Sequence, residues 1–311
     1  MIISASRRTD IPTYYSDWFF NRIKDGFVYV RNPMNIHQVS QVSLLPDIVD
    51  GIVFWTKNPI PMMERLDELN GYTYYFQFTL NSYDKDVEPN IPSKNEIIIP
   101  AFQKLSRMIG KEKVVWRYDP IFLSEKYTVQ YHLKYFRRLT EMLADYTEKC
   151  TVSFLDLYKN TQRNINSIGA VVPSLIQQKE ILQQFSEIAQ ENGIYIDTCS
   201  EDAELSRYGI KRAHCIDKQR FERLGNYTLE VEKDKNQRLE CGCVESIDIG
   251  LYNTCKNGCL YCYANFSQKS VLSNFEQHNP ESSLLSGEMG YDDILKVREV
   301  YSKRNDQMTL F

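Results

Sequence analysis

The residues most suited to chemistry are three cysteines, Cys255, Cys259 and Cys262, which follow a C-x3-C-x2-C spacing. Three thiolates so close in sequence can meet at one centre only if the backbone turns around it, and Gly258 gives the chain that freedom. Three sulfur ligands are one fewer than a structural zinc ion or a fully ligated four-iron cluster takes. The spacing therefore indicates a metal centre with one open position, where a substrate or cofactor can bind. The alternative is a zinc knuckle with a fourth ligand from elsewhere, for example Cys243.

Four further cysteines come from three separate segments of the second half of the chain: Cys199, Cys215, Cys241 and Cys243. Together they could hold a second iron–sulfur cluster or a zinc ion. The alternatives are buried cysteines that act as small apolar side chains, or a redox-active CGC pair. Cys150 stands alone beside a predicted strand, and we expect it in the core.

The composition is that of a globular protein, with 311 residues of which 42% are hydrophobic and 25% charged, and it excludes wholesale disorder. The formal net charge of −4 gives no general basic excess for sequence-independent binding of nucleic acid. No apolar run reaches the roughly 18–20 residues of a membrane span, and the first residues lack the apolar core of a secretory signal. We therefore predict a cytoplasmic protein without a membrane partner, in which the cysteines stay reduced.

Short β-prone runs alternate with helical patterns along the chain, which predicts βαβ units and a parallel sheet. The predicted strands are residues 1–5, 27–30, 48–55, 72–80, 113–118, 151–157, 194–197 and 247–251. The predicted helices are residues 15–24, 59–69, 128–144, 174–192 and 291–304. The fourth helix begins with the capping-box spacing Ser174-x-x-Gln177.

These elements favour an α/β fold, and specifically a full or partial (β/α) TIM-type barrel. We expect the barrel to cover residues 1–266, with a cysteine-rich cluster region at 199–266. Residues 267–311 are expected to form a C-terminal loop and helix.

The cysteine array, with Tyr261 just before its last cysteine, resembles the cluster motif of the radical S-adenosylmethionine (SAM) enzymes. The resemblance implies that Cys255, Cys259 and Cys262 hold a [4Fe-4S] cluster whose open iron is chelated by the amino and carboxylate groups of SAM. It also implies that Tyr261 lies against the adenine. One electron from such a cluster cleaves SAM to methionine and a 5′-deoxyadenosyl radical.

Over most of its length the chain resembles the DUF1848 family of uncharacterised bacterial proteins. The motifs that carry this resemblance are SRRTDIP, VFWTKNP, WRYDPI, CGC and DIGLYNTCKNGCLYCYAN. Most radical SAM enzymes carry the cysteine loop after the first barrel strand, whereas here it follows the predicted strand 247–251. We therefore expect a barrel that is circularly permuted relative to the usual radical SAM order, with its cluster loop near the C-terminus.

The motifs VFWTKNP and WRYDPI fall at the ends of predicted strands, where catalytic residues collect in barrels. The segment with Arg117 and Asp119 is similar to an Arg-x-Asp-Pro segment of spore photoproduct lyases, which are radical SAM enzymes. The resemblance implies that Arg117 binds the SAM carboxylate and that Asp119 binds a ribose hydroxyl or the amino group; the alternative is an ion pair that fixes the turn. Arg7, Asp10 and Lys57 are candidate catalytic residues: two adjacent arginines beside an aspartate suit bidentate binding of an anion, and Lys57 could bind a carboxylate or a phosphate.

The sequence therefore predicts a radical SAM [4Fe-4S] enzyme that abstracts hydrogen from a small molecule, a peptide or a nucleic acid. Its electron would come from a donor such as flavodoxin or ferredoxin. The alternative is a non-catalytic zinc or iron–sulfur binding module, which would act as a nucleic-acid adaptor or in electron transfer.

Overall fold

The computed structural model describes residues 1–158, 161–199, 209–238 and 241–305. The strands are β1 (Ile2–Ala5), β2 (Phe27–Asn32), β3 (Asn35–Ser43), β4 (Gly51–Thr56), β5 (Tyr74–Thr79), β6 (Val114–Ile121), β7 (Lys149–Phe154), β8 (Tyr195–Thr198), β9 (Lys211–Arg212), β10 (Thr228–Leu229), β11 (Ile247–Asp248), β12 (Ile294–Val297) and β13 (Arg304–Asn305). The α-helices are α1 (Ile11–Tyr14), α2 (Ser16–Asp25), α3 (Ile60–Met63), α4 (Ile99–Ile109), α5 (Val129–Leu143), α6 (Gln162–Ser167), α7 (Leu175–Glu191), α8 (Lys218–Gly225) and α9 (Gln268–Glu276).

Eight strands form the main sheet in the order β11-β1-β4-β5-β6-β7-β8-β9, and every neighbouring pair is parallel. The predicted α/β class is therefore confirmed. Within the described ranges the edge strands β9 and β11 do not pair, so the sheet is open and a complete TIM-type barrel is not confirmed. At the edge formed by β11, Ile247 lies opposite Ile3 of β1. The strand that precedes the cysteine loop thus stands beside the first strand of the chain.

Side chains that alternate along the strands cover both faces of this sheet. On one face, strand residues such as Phe54, Phe76 and Trp116 belong to a large core that also contains Phe136 of α5 and Phe185 of α7. On the other face a smaller core contains the following side chains: Ile2, Val53, Tyr75, Val115, Cys215, Ile216, Phe221, Leu229, Cys241, Cys243 and Val244. Burial on both faces explains why these strands read as apolar runs in the sequence.

The long helices agree with their sequence signals. In α7, the Ser174 side chain accepts from the backbone of Gln177 and the Gln177 side chain returns the contact, which completes the predicted capping box. The helix is followed by Gly193, whose φ of 69° is the left-handed conformation typical after a helix end. No helix among the described residues has the length and apolar character needed to cross a bilayer.

One prediction about the smaller elements was wrong, and one predicted strand forms in a different sheet from the one expected. The predicted C-terminal helix 291–304 is absent from the described part of that segment, where β12 instead pairs in parallel with β3. The run Ile-Leu-Lys-Val of β12 has high β-propensity, and pairing with a neighbouring strand decided its conformation. The predicted strand 27–30 forms, but within a separate antiparallel pair, β2 with β3, rather than in the main sheet. Residues 306–311 of the predicted C-terminal segment lie outside the described residues.

Candidate functional site

A cavity of about 930 Å³ opens where the chain leaves the main strands, and both groups of cysteines line it. The predicted site residues that share this wall are Arg7, Asp10, Lys57, Arg117, Asp119, Cys199, Cys215, Cys241, Cys243, Cys255, Cys259, Tyr261 and Cys262. Most of them lie at or beyond the ends of six strands, β1, β4, β6, β8, β9 and β11, while Cys241 and Cys243 precede β11. Parallel strands bring such residues together, because their carboxyl ends lie at the same edge of the sheet.

Hydrogen bonds between its two ends hold the loop that carries Cys255, Cys259 and Cys262. Asn253, whose φ is 55°, accepts at Oδ1 from the backbone N–H of Phe266 over 2.9 Å, and its own N–H donates to the carbonyl of Ala264 over 2.9 Å. The two ends of the loop are therefore tied together. Asn253 has the amide side chain that tolerates a left-handed conformation, so an ordinary residue here would be strained.

Asp10 joins this loop to the N-terminal motif. Its carboxylate accepts from the backbone N–H of Thr13 at the start of α1 over 3.1 Å, from the N–H of Lys57 over 2.8 Å and from Nδ2 of Asn257 over 3.2 Å. Burial raises the pKa of Asp10, while these donors oppose that effect. The carboxylate, predicted to be catalytic, thus holds α1, Lys57 and the cysteine loop in one arrangement.

The three thiols of the loop are in a setting that suits an iron–sulfur cluster. Burial raises the pKa of all three, that of Cys259 to about 12, so each would bind a metal by exchanging its proton. Backbone N–H groups are directed at the sulfurs of Cys255 and Cys262, as is common around clusters. In the part of the chain that the structure describes, no three His, Cys, Asp or Glu side chains are arranged to hold one metal ion. A cluster differs in this respect, because each cysteine binds a different iron.

Glu88 is a buried carboxylate that the sequence analysis missed, and it organises one side of the loop. Its oxygens accept from Nζ of Lys57 over 2.7 Å, from Nζ of Lys94 and from the hydroxyl of Tyr261. Burial opposes its charge, but Lys57 and Lys94 outweigh burial and lower the pKa of Glu88 to about 2. The charge of Lys57 is favoured in turn by Glu88 and by nearby Cys259, against the cost of burial.

The same contacts fix the two predicted residues beside the loop. Nζ of Lys57 lies 5.6 Å from the centre of the Tyr261 ring, and both side chains are held by Glu88. No sequence spacing pointed to Glu88, because it lies on the loop after β5 and meets Lys57 only through the fold. The one available hint was the need of a buried lysine for an acidic partner.

Arg117 and Asp119 form the ion pair that had been the alternative to cofactor binding. Nε of Arg117 lies 3.2 Å from Oδ2 of Asp119, and Nη1 donates to Oε1 of Gln77 over 3.4 Å and to Sγ of Cys215 over 3.0 Å. The hydroxyl of Ser153 donates to the other oxygen of Asp119. Most donors of Arg117 are therefore already engaged within the protein.

Other polar atoms at the cavity wall lack such partners. Among the described residues, Nη2 of Arg7, Oγ1 of Thr9, Nε1 of Trp55 and Oδ1 of Asn265 are buried without a hydrogen bond. The Arg7 guanidinium lies 5.5 Å from the centre of the Trp55 ring. Buried polar groups are nearly always satisfied in proteins, so unsatisfied ones that share a cavity indicate a place for a polar ligand.

The four remaining cysteines of the second half also line the cavity. Sγ of Cys215 lies 3.7 Å from Sγ of Cys199, and Sγ of Cys243 accepts from the N–H of Ile216, the residue after Cys215, over 3.4 Å. Hydrogen bonds with Cys199 and Cys243, together with Arg117, lower the pKa of Cys215. Cys243 therefore belongs to this second group, and Cys150 is buried in β7 as expected.

Fold and site together describe an α/β protein with a parallel sheet and a cysteine-lined cavity at its strand ends. The chain belongs to the family described as Domain of unknown function (DUF1848), whose match covers residues 2–264. That match includes every predicted site residue. Neither a curated protein nor a solved structure matches the chain.

Proposed function

We propose that this protein is a radical SAM enzyme, with a [4Fe-4S] cluster bound by Cys255, Cys259 and Cys262. The observation that supports this most is the composition of one cavity wall. It presents three thiols of a single loop together with four buried polar atoms that lack hydrogen bonds. A three-cysteine cluster leaves one iron open, and unsatisfied donors and acceptors at the same wall suit a polar cofactor such as SAM.

The proposed chemistry comes from the cluster, which when bound supplies the electron that cleaves SAM and so generates the radical that takes hydrogen from a substrate. The protein's own groups bind and orient. We propose that Arg7, with its Nη2 unsatisfied, binds the SAM carboxylate or an anionic group of the substrate. This role suits Arg7 better than Arg117, whose donors meet Asp119, Gln77 and Cys215.

Lys57 and Tyr261 have a supporting role in this proposal. Glu88 holds the Tyr261 hydroxyl, so the ring keeps one orientation beside the cysteine loop, where an adenine can stack on it. The charge of Lys57 lies near Cys259 and favours the thiolate that the cluster needs. Asp10 keeps the loop in register with α1 through Asn257.

The finer features of the fold belong to the same proposal. We infer that the open parallel sheet is a partial (β/α) barrel, permuted relative to the usual radical SAM order, because β11 stands beside β1 and leads directly into the cysteine loop. In the usual radical SAM order the strand before the loop comes first in sequence. We also infer a cytoplasmic setting, where the thiols stay reduced and a flavodoxin or ferredoxin can donate the electron.

Anaerobic reconstitution with iron and sulfide tests the proposal. We expect a four-iron cluster whose electron paramagnetic resonance spectrum changes when SAM is added, and 5′-deoxyadenosine when a reductant follows. Cys259→Ala should abolish both while the circular dichroism spectrum is unchanged. Cys150→Ala is the matched control, because Cys150 is a buried cysteine outside the cavity wall.

Two results would overturn the proposal. Cleavage of SAM by the Cys259→Ala variant at the parent rate would show that the ligand assignment is wrong. Colourless protein with stoichiometric zinc in place of iron, and no spectral response to SAM, would favour the non-catalytic module.

A further inference from the structure

The four cysteines that the proposed reaction leaves unused form a second cluster of sulfurs. Cys199 follows β8, Cys215 follows β9, and Cys241 and Cys243 precede β11. Sγ of Cys199 lies 3.7 Å from Sγ of Cys215, and Cys215, Cys241 and Cys243 belong to one buried cluster against which Cys199 packs. Cysteines separated by up to 44 positions, which is 243 − 199, are therefore neighbours in the fold.

The backbone around these cysteines is built to bring them together. Gly242 lies against the segment that precedes Cys215. An added Cβ would come within 2.9 Å of the Ala213 carbonyl oxygen and 2.8 Å of His214 Cε1. Only glycine lets the CGC segment approach at that distance without a shift. The N–H of Val244 donates to the carbonyl of Ile216 over 3.2 Å and fixes the two segments in register.

The charged surroundings are those of a centre with negative charge. Nη1 of Arg117 donates to Sγ of Cys215 over 3.0 Å, and the N–H of Ile216 donates to Sγ of Cys243 over 3.4 Å. The guanidiniums of Arg7 and Arg117 lie 5.5 and 5.2 Å from the centre of the Trp55 ring. The Arg117 guanidinium therefore stands directly beside Cys215, and that of Arg7 packs against the same Trp55 ring. Thiolates bound to a metal carry net negative charge, and nearby donors and cations stabilise it.

From this arrangement we propose that Cys199, Cys215, Cys241 and Cys243 hold a second metal centre with all-thiolate ligation, an iron–sulfur cluster or a zinc ion. Four thiols match the ligand set that both centres require. In the described residues no three ligands surround one metal position, which suits a cluster, whose irons each bind a different sulfur, better than a single zinc ion. This site is independent of SAM, and it goes beyond the proposed reaction.

The test uses a full-length variant without the first site, Cys255→Ser/Cys259→Ser/Cys262→Ser. After anaerobic reconstitution with iron and sulfide, an iron–sulfur centre predicts that this variant keeps about half of the parent's iron and its charge-transfer absorption. A zinc centre predicts one zinc per chain in both proteins as purified. Added cobalt(II), in the metal-free triple variant, should give thiolate-to-cobalt absorption, and Cys199→Ser added to that variant should weaken it several-fold.

A triple variant that has the parent's circular dichroism spectrum but binds no iron, zinc or cobalt overturns the proposal. Cys150→Ser in the same background is the matched control and should leave metal content unchanged, since Cys150 is buried away from the cavity wall. Failure of the two proposals is distinguishable. Protein that keeps the second centre but never cleaves SAM contradicts only the proposed reaction.

Discussion

Arg117 in the middle of the sheet donates from Nη1 to Sγ of Cys215, on the segment after the edge strand, over 3.0 Å. The same guanidinium pairs with Asp119, two residues along β6. Residues two apart on a strand face the same side, so both groups are directed into the cavity. One side chain therefore connects the strand ends to the second group of cysteines.

We expect Arg117→Gln to weaken metal binding at the second group. Groups that hydrogen bond to a metal ligand typically contribute 10–100-fold to metal affinity, and glutamine loses both the charge and the reach of the guanidinium. The measurement is competition with a chelator in the variant that lacks the first three cysteines. Arg8→Gln is the control, because Arg8 lines the same cavity but lies beside Asp248 and Tyr252. Equal chelator sensitivity of both variants would contradict the expectation.

Glu88→Gln should destabilise the protein by about 3–5 kcal/mol, since it leaves Lys57 and Lys94, whose side chains are only 13% and 20% exposed, without their shared counter-charge. The free energy of unfolding in urea measures this. Asp86→Asn is the matched control on the same loop: Asp86 is 48% exposed in its contact with Lys126, and we expect a loss under about 1 kcal/mol.

The contribution of Glu88 to the free energy of unfolding also depends on pH. Its pKa is lowered to about 2 from an ordinary 4.5, so the unfolded chain takes up the proton first. Stability from Glu88 is therefore present above pH 4.5 and is lost as pH falls toward 2. If the difference in free energy of unfolding between the parent and the Glu88→Gln variant is the same at pH 6 and at pH 2, this account is wrong.

His132 should make the fold sensitive to mild acid. Burial lowers its pKa from 6.5 to about 4, and its ring nitrogens lie 2.9 Å from the Tyr118 hydroxyl and 2.8 Å from the Phe122 carbonyl oxygen. Between these pH values only the unfolded chain binds the proton, so stability falls as pH falls from 6.5 to 4, by about 3 kcal/mol. His132→Gln should remove this part of the pH dependence of the free energy of unfolding, measured in urea between pH 7 and 4. Parallel stability curves for the two proteins would refute it.

Gly258→Ala should lower the iron content at the first site. Gly258 has a φ of 70°, and an added Cβ would lie 3.0 Å from Nδ2 of Asn90 and 3.2 Å from Cγ of Pro89. The left-handed conformation alone costs about 1–2 kcal/mol for a residue with a Cβ, and the contacts would also shift the loop. Gly193→Ala is the control, with a φ of 69° and no atom within 4 Å of the added Cβ. Both variants should lose similar stability, and only Gly258→Ala should lose iron; equal iron content would contradict the prediction.

Most of the main sheet was predictable because strands such as β1, β4, β5 and β6 are buried on both faces and read as apolar runs, whereas β9, whose two residues are exposed, was not predicted. The capping box at Ser174 and the glycine at 193 likewise fixed the bounds of α7 locally. The pairing of β12 with β3 was not predictable, since strand partners are chosen by tertiary contacts and an exposed Ile-Leu-Lys-Val run fits a helix as well. The sheet's open edge was equally hidden, because closure depends on how eight strands twist and meet.

The candidate site divides in the same way. The three cysteines of the loop are visible in the sequence because their ligand spacing is local. The roles of Glu88 and Asn257 could not be found, because each acts through partners that only the fold brings near. Arg117 was found, but its contact with Cys215 joins two residues that are 98 positions apart.

The hydrogen bond between Val244 and Ile216 joins the segment before one edge strand of the sheet to the segment after the other. Cys215 and Cys243 are the immediate neighbours of these two residues. A metal bound by these cysteines would cross-link the segments next to the two edge strands of the open sheet. Because a ligand of the native state raises the free energy of unfolding, metal supply would then determine how stably the two edges of the sheet are joined.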